Sequence, residues 1–194
     1  MQKQIKHLVV FLLGGYVFAS PLTAQEMQVD LDPARTTIEF MLPATLHTVH
    51  GSFKLKSGTV RFNTATGAAS GEIVADATSG DTGNKGRDKK MHGEILESRR
   101  FPEVIFLPKQ VDGKVPSSGT ATVNVQGSFR IHGSDHELTL AIPVQIVGEN
   151  ITVTAEFDVP YVAWGMKDPS TFFLHVDHEV HVRIAAIGRL MLVH

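Results

Sequence analysis

From Ala121 to Phe157, apolar and polar residues exchange places with a period of two. Val123, Val125, Phe129 and Ile131 alternate with Thr122, Asn124, Gln126, Ser128 and Arg130. Leu138, Leu140, Ile142, Val144 and Ile146 repeat the pattern, and Ile151, Val153, Ala155 and Phe157 repeat it again. Successive side chains of a strand point to opposite faces, so each segment predicts a strand with one dry face and one wet face. Three consecutive strands of this kind need a second sheet or closure of the first on itself, and closure can leave an apolar interior. Gly133-Ser134-Asp135 and Gly148-Glu149-Asn150 supply the turns, while Pro143 marks an edge position or a bulge.

The flanking sequence extends the same reading. Met27 to Leu31 and Thr37 to Leu42 predict strands, the second with Ile38, Phe40 and Leu42 inward and Pro43 ending it. Phe53 to Phe62 reads as a hairpin turning at Lys56-Ser57-Gly58, and Glu72 to Asp76 as a further strand. Between Asn84 and Ser98 the period changes: Met91, Ile95 and Leu96 form one apolar stripe among charged residues, predicting a short helix capped by Asn84. Phe101-Pro102 closes it, Val104 to Leu107 resumes as strand, and a loop with Pro108, Gly113, Pro116 and Gly119 follows. The last strand sets Leu174, Val176, Val180, Val182 and Ile184 against His175, Asp177, Glu179, His181 and Arg183. The expected fold is therefore mainly all-β, an antiparallel barrel or sandwich with one inserted helix.

The N-terminus has a different character. Lys3 and Lys6 precede an apolar run from Leu8 to Phe18 that is too short to span a bilayer, and small residues follow, as in an export signal. Cleavage after Ala19 or Ala24 is expected, the second preferred because it frees the polar Gln25, leaving one domain over 25–194 after a signal over 1–24. Losing those two lysines lowers the formal charge from −2 to −4. A mildly acidic chain argues against nucleic acid, which is held mostly by Lys and Arg on phosphates. The chain has no cysteine, which excludes disulfides, thiolate chemistry and an acylated N-terminal cysteine.

Candidate chemistry is sparse. Asp81-Thr82-Gly83 matches an aspartic-protease signature, but one copy in a polar context reads better as a loop before the helix. His175 and His181 share a strand face but stand roughly 20 Å apart at about 3.3 Å per residue, too far for one metal ion, and His178 points the other way. His132 and His136 flank a turn and are expected to face each other at about 5 Å. His47 and His50 differ in strand parity, His92 lies on the helix, and no nucleophile triad or phosphate loop is evident. Trp164-Gly165-Met166 reads equally as the lip of an apolar cavity or as a turn plugging one barrel end.

Taken in order, Thr37-Ile38-Glu39-Phe40, Val49-His50-Gly51-Ser52-Phe53, Gly58 to Asn63, Ser79-Gly80-Asp81-Thr82-Gly83-Asn84, Arg87-Asp88, Met91-His92, Phe101 to Phe106, Gly127-Ser128-Phe129 and Trp164-Gly165-Met166 carry a resemblance. From Asp32 to about Ile184 the chain resembles the YceI-like family of secreted bacterial lipid-binding proteins. It departs from the family pattern in Ile95-Leu96, where an aromatic pair is common, and in Trp164 and Met166. The resemblance implies an extended lipocalin-like antiparallel barrel whose apolar tunnel binds a long isoprenoid or similar amphiphile. It implies a place in the periplasm or outside the cell, an association with stress responses, no catalytic residues and no cofactor beyond the bound lipid. Chosen by face and bulk, the expected lining is Phe40, Leu42, Phe53, Phe62, Met91, Ile95, Phe106, Phe129, Phe157, Trp164 and Met166, with His178 as a head-group contact. The competing expectations are a histidine-dependent metal protein or enzyme on the same barrel, and a filled barrel that binds a partner. A homodimer is compatible with exposed sheet edges.

Overall fold

The structure, a computed structural model, describes residues 25–45 and 47–193. The export segment expected over 1–24 lies outside the described residues. The elements are β1 (Glu26–Leu31), a 3₁₀ turn (Pro33–Arg35), β2 (Thr37–Leu42), β3 (Val49–Asn63), β4 (Ala69–Asp81), α1 (Lys85–Lys90) and a π-helical turn (Met91–Ile95). They continue as β5 (Glu103–Asp112), β6 (Gly119–Ile131), β7 (Ser134–Val147), β8 (Asn150–Val159) and β9 (Val180–Val193).

All pairings are antiparallel, and the sheet order β1-β3-β2-β9-β8-β7-β6-β5-β4 closes through β3–β4 and β1–β9. β1 lies along Thr59–Asn63 of β3 and Gly188–Val193 of β9, whereas β2 lies along Val49–Phe53 and His181–Ala185. The two short strands thus share one position, and nine strands make a closed barrel of eight. Closure removes most of the free edge on which dimer formation was expected to rest.

The long alternating run becomes β6, β7 and β8 with its dry faces turned inward, and β6 pairs with β7 from Gly119↔Ile146 to Ile131↔Ser134. β7 meets β8 only over Val144–Val147 against Asn150–Val153, so pairing ends at Pro143 and residues 134–143 form an edge. This is where a proline, lacking a ladder donor, is tolerated.

Elsewhere the structure corrects the sequence reading. There is no hairpin at Lys56-Ser57-Gly58; β3 runs unbroken past it. Phe53 and Leu55 differ in parity from Val60 and Phe62, and two register shifts against β4, at Ser52/Lys54 and Leu55/Ser57, absorb the mismatch. A bulge changes the phase of a strand without turning the chain. Pro108 likewise sits inside β5, beside a register shift at Pro108/Gln110, and not in the following loop. The helix expected over Asn84–Ser98 is shorter and divided, α1 passing into the π turn. Asn84 caps it as expected, its Oδ1 accepting from the Gly86 and Arg87 N–H groups.

Apolar packing concentrates at the two ends of the barrel. One end is filled by Val29, Phe62, Val111, Val123, Ile146 and their neighbours. At the other, the segment after β8 folds over the opening, with Phe129, Ile131, Val159, Tyr161 and Met166 packed together beneath it. The helical segment and the turn Pro43–Thr45 border that same end.

Candidate functional site

The barrel encloses a cavity of about 660 Å³ that reaches both packed clusters, with Val29, Phe62 and Val123 of one and Phe129, Tyr161 and Met166 of the other in its wall. This lies within the roughly 300–1,000 Å³ of ordinary ligand pockets. Ten of the twelve residues selected from the sequence line it. Phe40, Phe53, Phe62, Phe106, Phe129 and Phe157 come from five strands, with Phe53 and Phe62 both on β3, and Leu42, Met91, Ile95 and Met166 come from β2, the π turn and the segment after β8. The aromatic rings meet at angles: Phe40 and Phe53 have centroids 5.4 Å apart, Phe129 and Phe157 5.7 Å, the latter edge to face. Apart from six polar side chains, the lining is hydrocarbon, the thioethers of Met91 and Met166, or backbone.

Trp164 and His178 are placed elsewhere. Trp164 covers the edge that β7 leaves open: it stacks on His136 at 3.9 Å with the planes 8° apart and touches Phe129 at 5.9 Å. Its position suits the plug reading, with only Met166 of that cluster reaching the cavity. His178 stands outside, half exposed, its Nε2 3.1 Å from Asp168 Oδ2. The inward placement of His178 assumed a strand from Leu174, whereas β9 begins at Val180 and His175–Glu179 is bent around a single bridge, Ala44↔Val176. Strand parity has no force there, and the His175 and His178 rings lie side by side at 5.9 Å.

The polar lining was missed by a search for bulk and hydrophobicity. Thr36 sits at the corner between β1 and β2 and satisfies itself on the Asp32 carbonyl. Tyr161 lies under the plug. The other four, His47, Thr82, Arg87 and Lys90, gather at the helical end and form a mouth. Arg87 donates through Nε to Thr82 Oγ1 at 2.8 Å and through Nη2 to the Thr82 carbonyl at 2.9 Å, and its Nη1 approaches His47 Nε2 at 3.3 Å. Lys90 Nζ donates to the Pro169 carbonyl at 3.1 Å, tying the helix to the loop across the opening. Among the described residues, neither cation is paired with a carboxylate. The usable signal was their helical spacing, since Arg87, Lys90 and Met91 share one face.

The remaining histidines have structural tasks. His132 and His136 do not face each other: His132 turns away at positive φ to meet Glu97 at 2.8 Å, while His136 pairs across the hairpin with Phe129. His92 Nε2 donates to the Gly80 carbonyl at 2.9 Å while Nδ1 accepts from the Ser98 hydroxyl at 3.0 Å, holding the π turn against β4. Asp81-Thr82-Gly83 is a turn into α1, with Asp81 accepting from the Gly83 N–H and Asp88 accepting from Thr82. Among the described residues, no group of three or more His, Cys, Asp or Glu is placed to hold a metal ion.

Tyr161 fixes the plug, its hydroxyl donating to the Asp177 carbonyl at 2.7 Å. Burial, with the nearby charges of Asp168 and Asp177, pushes its pKa from 10.0 up to about 12. The folded state therefore keeps a proton that the unfolded chain releases earlier. Stability is unaffected by this group below pH 10 and falls as the pH rises through the window up to about 12. Urea midpoints across that window are expected to fall less for Tyr161→Phe than for the wild type; equal slopes would show that Tyr161 is not the group responsible.

The model of the YceI-like domain matches residues 30–187. Among solved structures, Burkholderia cenocepacia BcnA superposes with a TM-score of 0.66 at 18% identity, covering 81% of this chain and 99% of its own. A polyisoprenoid binding domain from Saccharophagus degradans, implicated in plant cell wall breakdown, gives 0.65 at 14% identity, covering 83% and 97%. The Campylobacter jejuni YCEI protein gives 0.53 at 12% identity, covering 97% and 91%. No curated protein matches the chain. At these identities the structural likeness concerns the fold.

Proposed function

Because this chain belongs to the YceI-like domain family, we propose that it binds a long-chain isoprenoid or similar amphiphilic lipid in its barrel and carries or stores it without chemical change. The observation that carries this reading is the cavity of about 660 Å³ walled by hydrocarbon and opening at a polar mouth. A filled barrel serving only as a partner-binding module would lack that space. The name of the Saccharophagus degradans relative as a polyisoprenoid binding domain supports the same ligand class.

The physical basis is transfer of methylenes from water to an apolar lining, worth about 0.8 kcal/mol each. Contacts of this kind respond to shape and length but discriminate weakly between similar chains. The tail takes the interior, and the polar head remains at the mouth near His47, Arg87 and Lys90, the position first assigned to His178. Export through the segment over 1–24, to the periplasm or beyond, completes the reading and places the carrier next to membranes that hold such lipids.

Titration of delipidated protein with polyprenols of increasing length in detergent micelles tests the proposal. Saturable binding of one chain per barrel with a negative heat-capacity change is expected. Absence of saturable binding at any length would refute it.

A further inference from the structure

The rim of the mouth carries a feature that the interior does not use. Phe172 and Phe173 are 94% and 87% exposed, and their rings stand edge to face at 4.9 Å. Adjacent phenylalanines normally find cover, since each holds a large apolar surface out of water only at a cost. Here the chain holds them outward. Thr171 N–H donates to the Leu174 carbonyl at 2.8 Å, closing the turn beneath them, and Asp168 accepts from the Ser170 N–H at 2.8 Å at the turn's entry. Both Pro169 and Leu174, which bracket the turn, line the cavity. The pair therefore sits directly on the lip of the opening.

The second observation is charge. α1 borders the same lip, joined to Pro169 by Lys90, and between residues 85 and 90 it carries Lys85, Arg87, Lys89 and Lys90 against the single acid Asp88. This basic cluster belongs to a chain whose net charge is −2. Lys85 and Lys89 are exposed, and Asp168 at the turn's entry is engaged by Ser170 and His178. Aromatic side chains beside basic ones are the composition that enters the interfacial zone of an anionic bilayer.

We propose that Phe172 and Phe173 insert into the surface of a bilayer containing anionic lipids, with Lys85 and Lys89 on the headgroups, so that the mouth opens onto the membrane. A lipid then passes between bilayer and barrel without its tail crossing water. This inference rests on the carrier reading but is tested apart from it.

The experiment is flotation of the protein with phosphatidylethanolamine–phosphatidylglycerol vesicles and with phosphatidylcholine vesicles. In parallel, polyprenol binding is measured in detergent micelles, where no bilayer is needed. The wild type is expected to float with the anionic vesicles. Phe172→Ser with Phe173→Ser, and separately Lys85→Glu with Lys89→Glu, are expected to lower that partition by about tenfold or more, both retaining polyprenol binding in micelles. In Phe172→Trp, brominated lipids are expected to quench the new indole and to leave the native Trp164 emission of the wild type unchanged. Undiminished flotation of the serine variant, or no flotation of a wild type that still binds polyprenol, would overturn the docking proposal and leave the carrier reading standing. A wild-type dimer that the serine variant dissolves, without vesicle association, would assign the pair to a second copy and also overturn it.

Discussion

Replacement of Ala155 by tryptophan is expected to abolish lipid loading while the barrel remains folded. Ala155 lies on β8 opposite Ile184, is 6% exposed and faces the cavity. In a close-packed core, an inserted bulky side chain forces neighbours off their rotamers and destabilises by about 1–3 kcal/mol or more. At Ala155 the indole enters space already present, so its effect falls on the ligand. Displacing one isoprene unit, about five carbons at about 0.8 kcal/mol each, weakens binding by about 4 kcal/mol, or roughly a thousandfold. Circular dichroism should stay near wild type, and the thermal midpoint near that of delipidated wild type, as the bound lipid disappears. Normal loading of Ala155→Trp would show that the tail lies elsewhere.

The converse is expected at the closed end. Ile146, 1% exposed, packs with Val29, Phe62, Val144 and Ile151 and does not line the cavity. Its truncation in Ile146→Ala removes contacts from a tightly filled region that collapses only in part, and is expected to cost about 2–5 kcal/mol. The measurement is urea unfolding, with lipid stoichiometry of the folded fraction unchanged. A loss below about 1 kcal/mol would mean that the layer behind the cavity wall at this end is loosely packed. The two substitutions together separate the part of the interior that supports the fold from the part that holds the ligand.

The sequence was most legible where local pattern and tertiary role coincide. β6, β7 and β8 follow from alternation alone, and the turns at Gly133 and Gly148 use the positive φ that glycine adopts freely, φ 78° and 61°. Met91 and Ile95 were found because their four-residue spacing survives the passage from α to π geometry. The bulged centre of β3 was not legible, because a phase change of one residue looks the same in sequence whether the strand kinks or turns. Pro108 misled in a similar way: the ladder accommodates it at a register shift that only the β5–β6 pairing reveals.

The lining and the mouth differ in the same respect. Bulk and strand face sufficed to select the seven lining residues that lie on strands, since a barrel turns every dry face inward. The mouth depends on contacts between distant segments: Lys90 with Pro169, Lys167 with Glu94 at 2.6 Å, and Thr45 with His175. No local period encodes these ties. His178 was set inward by extending a strand pattern through a segment that those ties hold in a bend. Trp164 was selected by bulk, and its place against His136 depends on where β7 and β8 part company, which neither strand records.

The proposed function requires a hydrocarbon tail to occupy this barrel in the cell. The most direct measurement is the mass of the protein, purified from its native compartment without detergent, recorded intact and again after organic extraction. One polyisoprenoid-class lipid per chain is expected in the intact species and is expected to be recovered in the extract. A native species whose mass is that of the polypeptide alone, with no lipid in the extract, would contradict it.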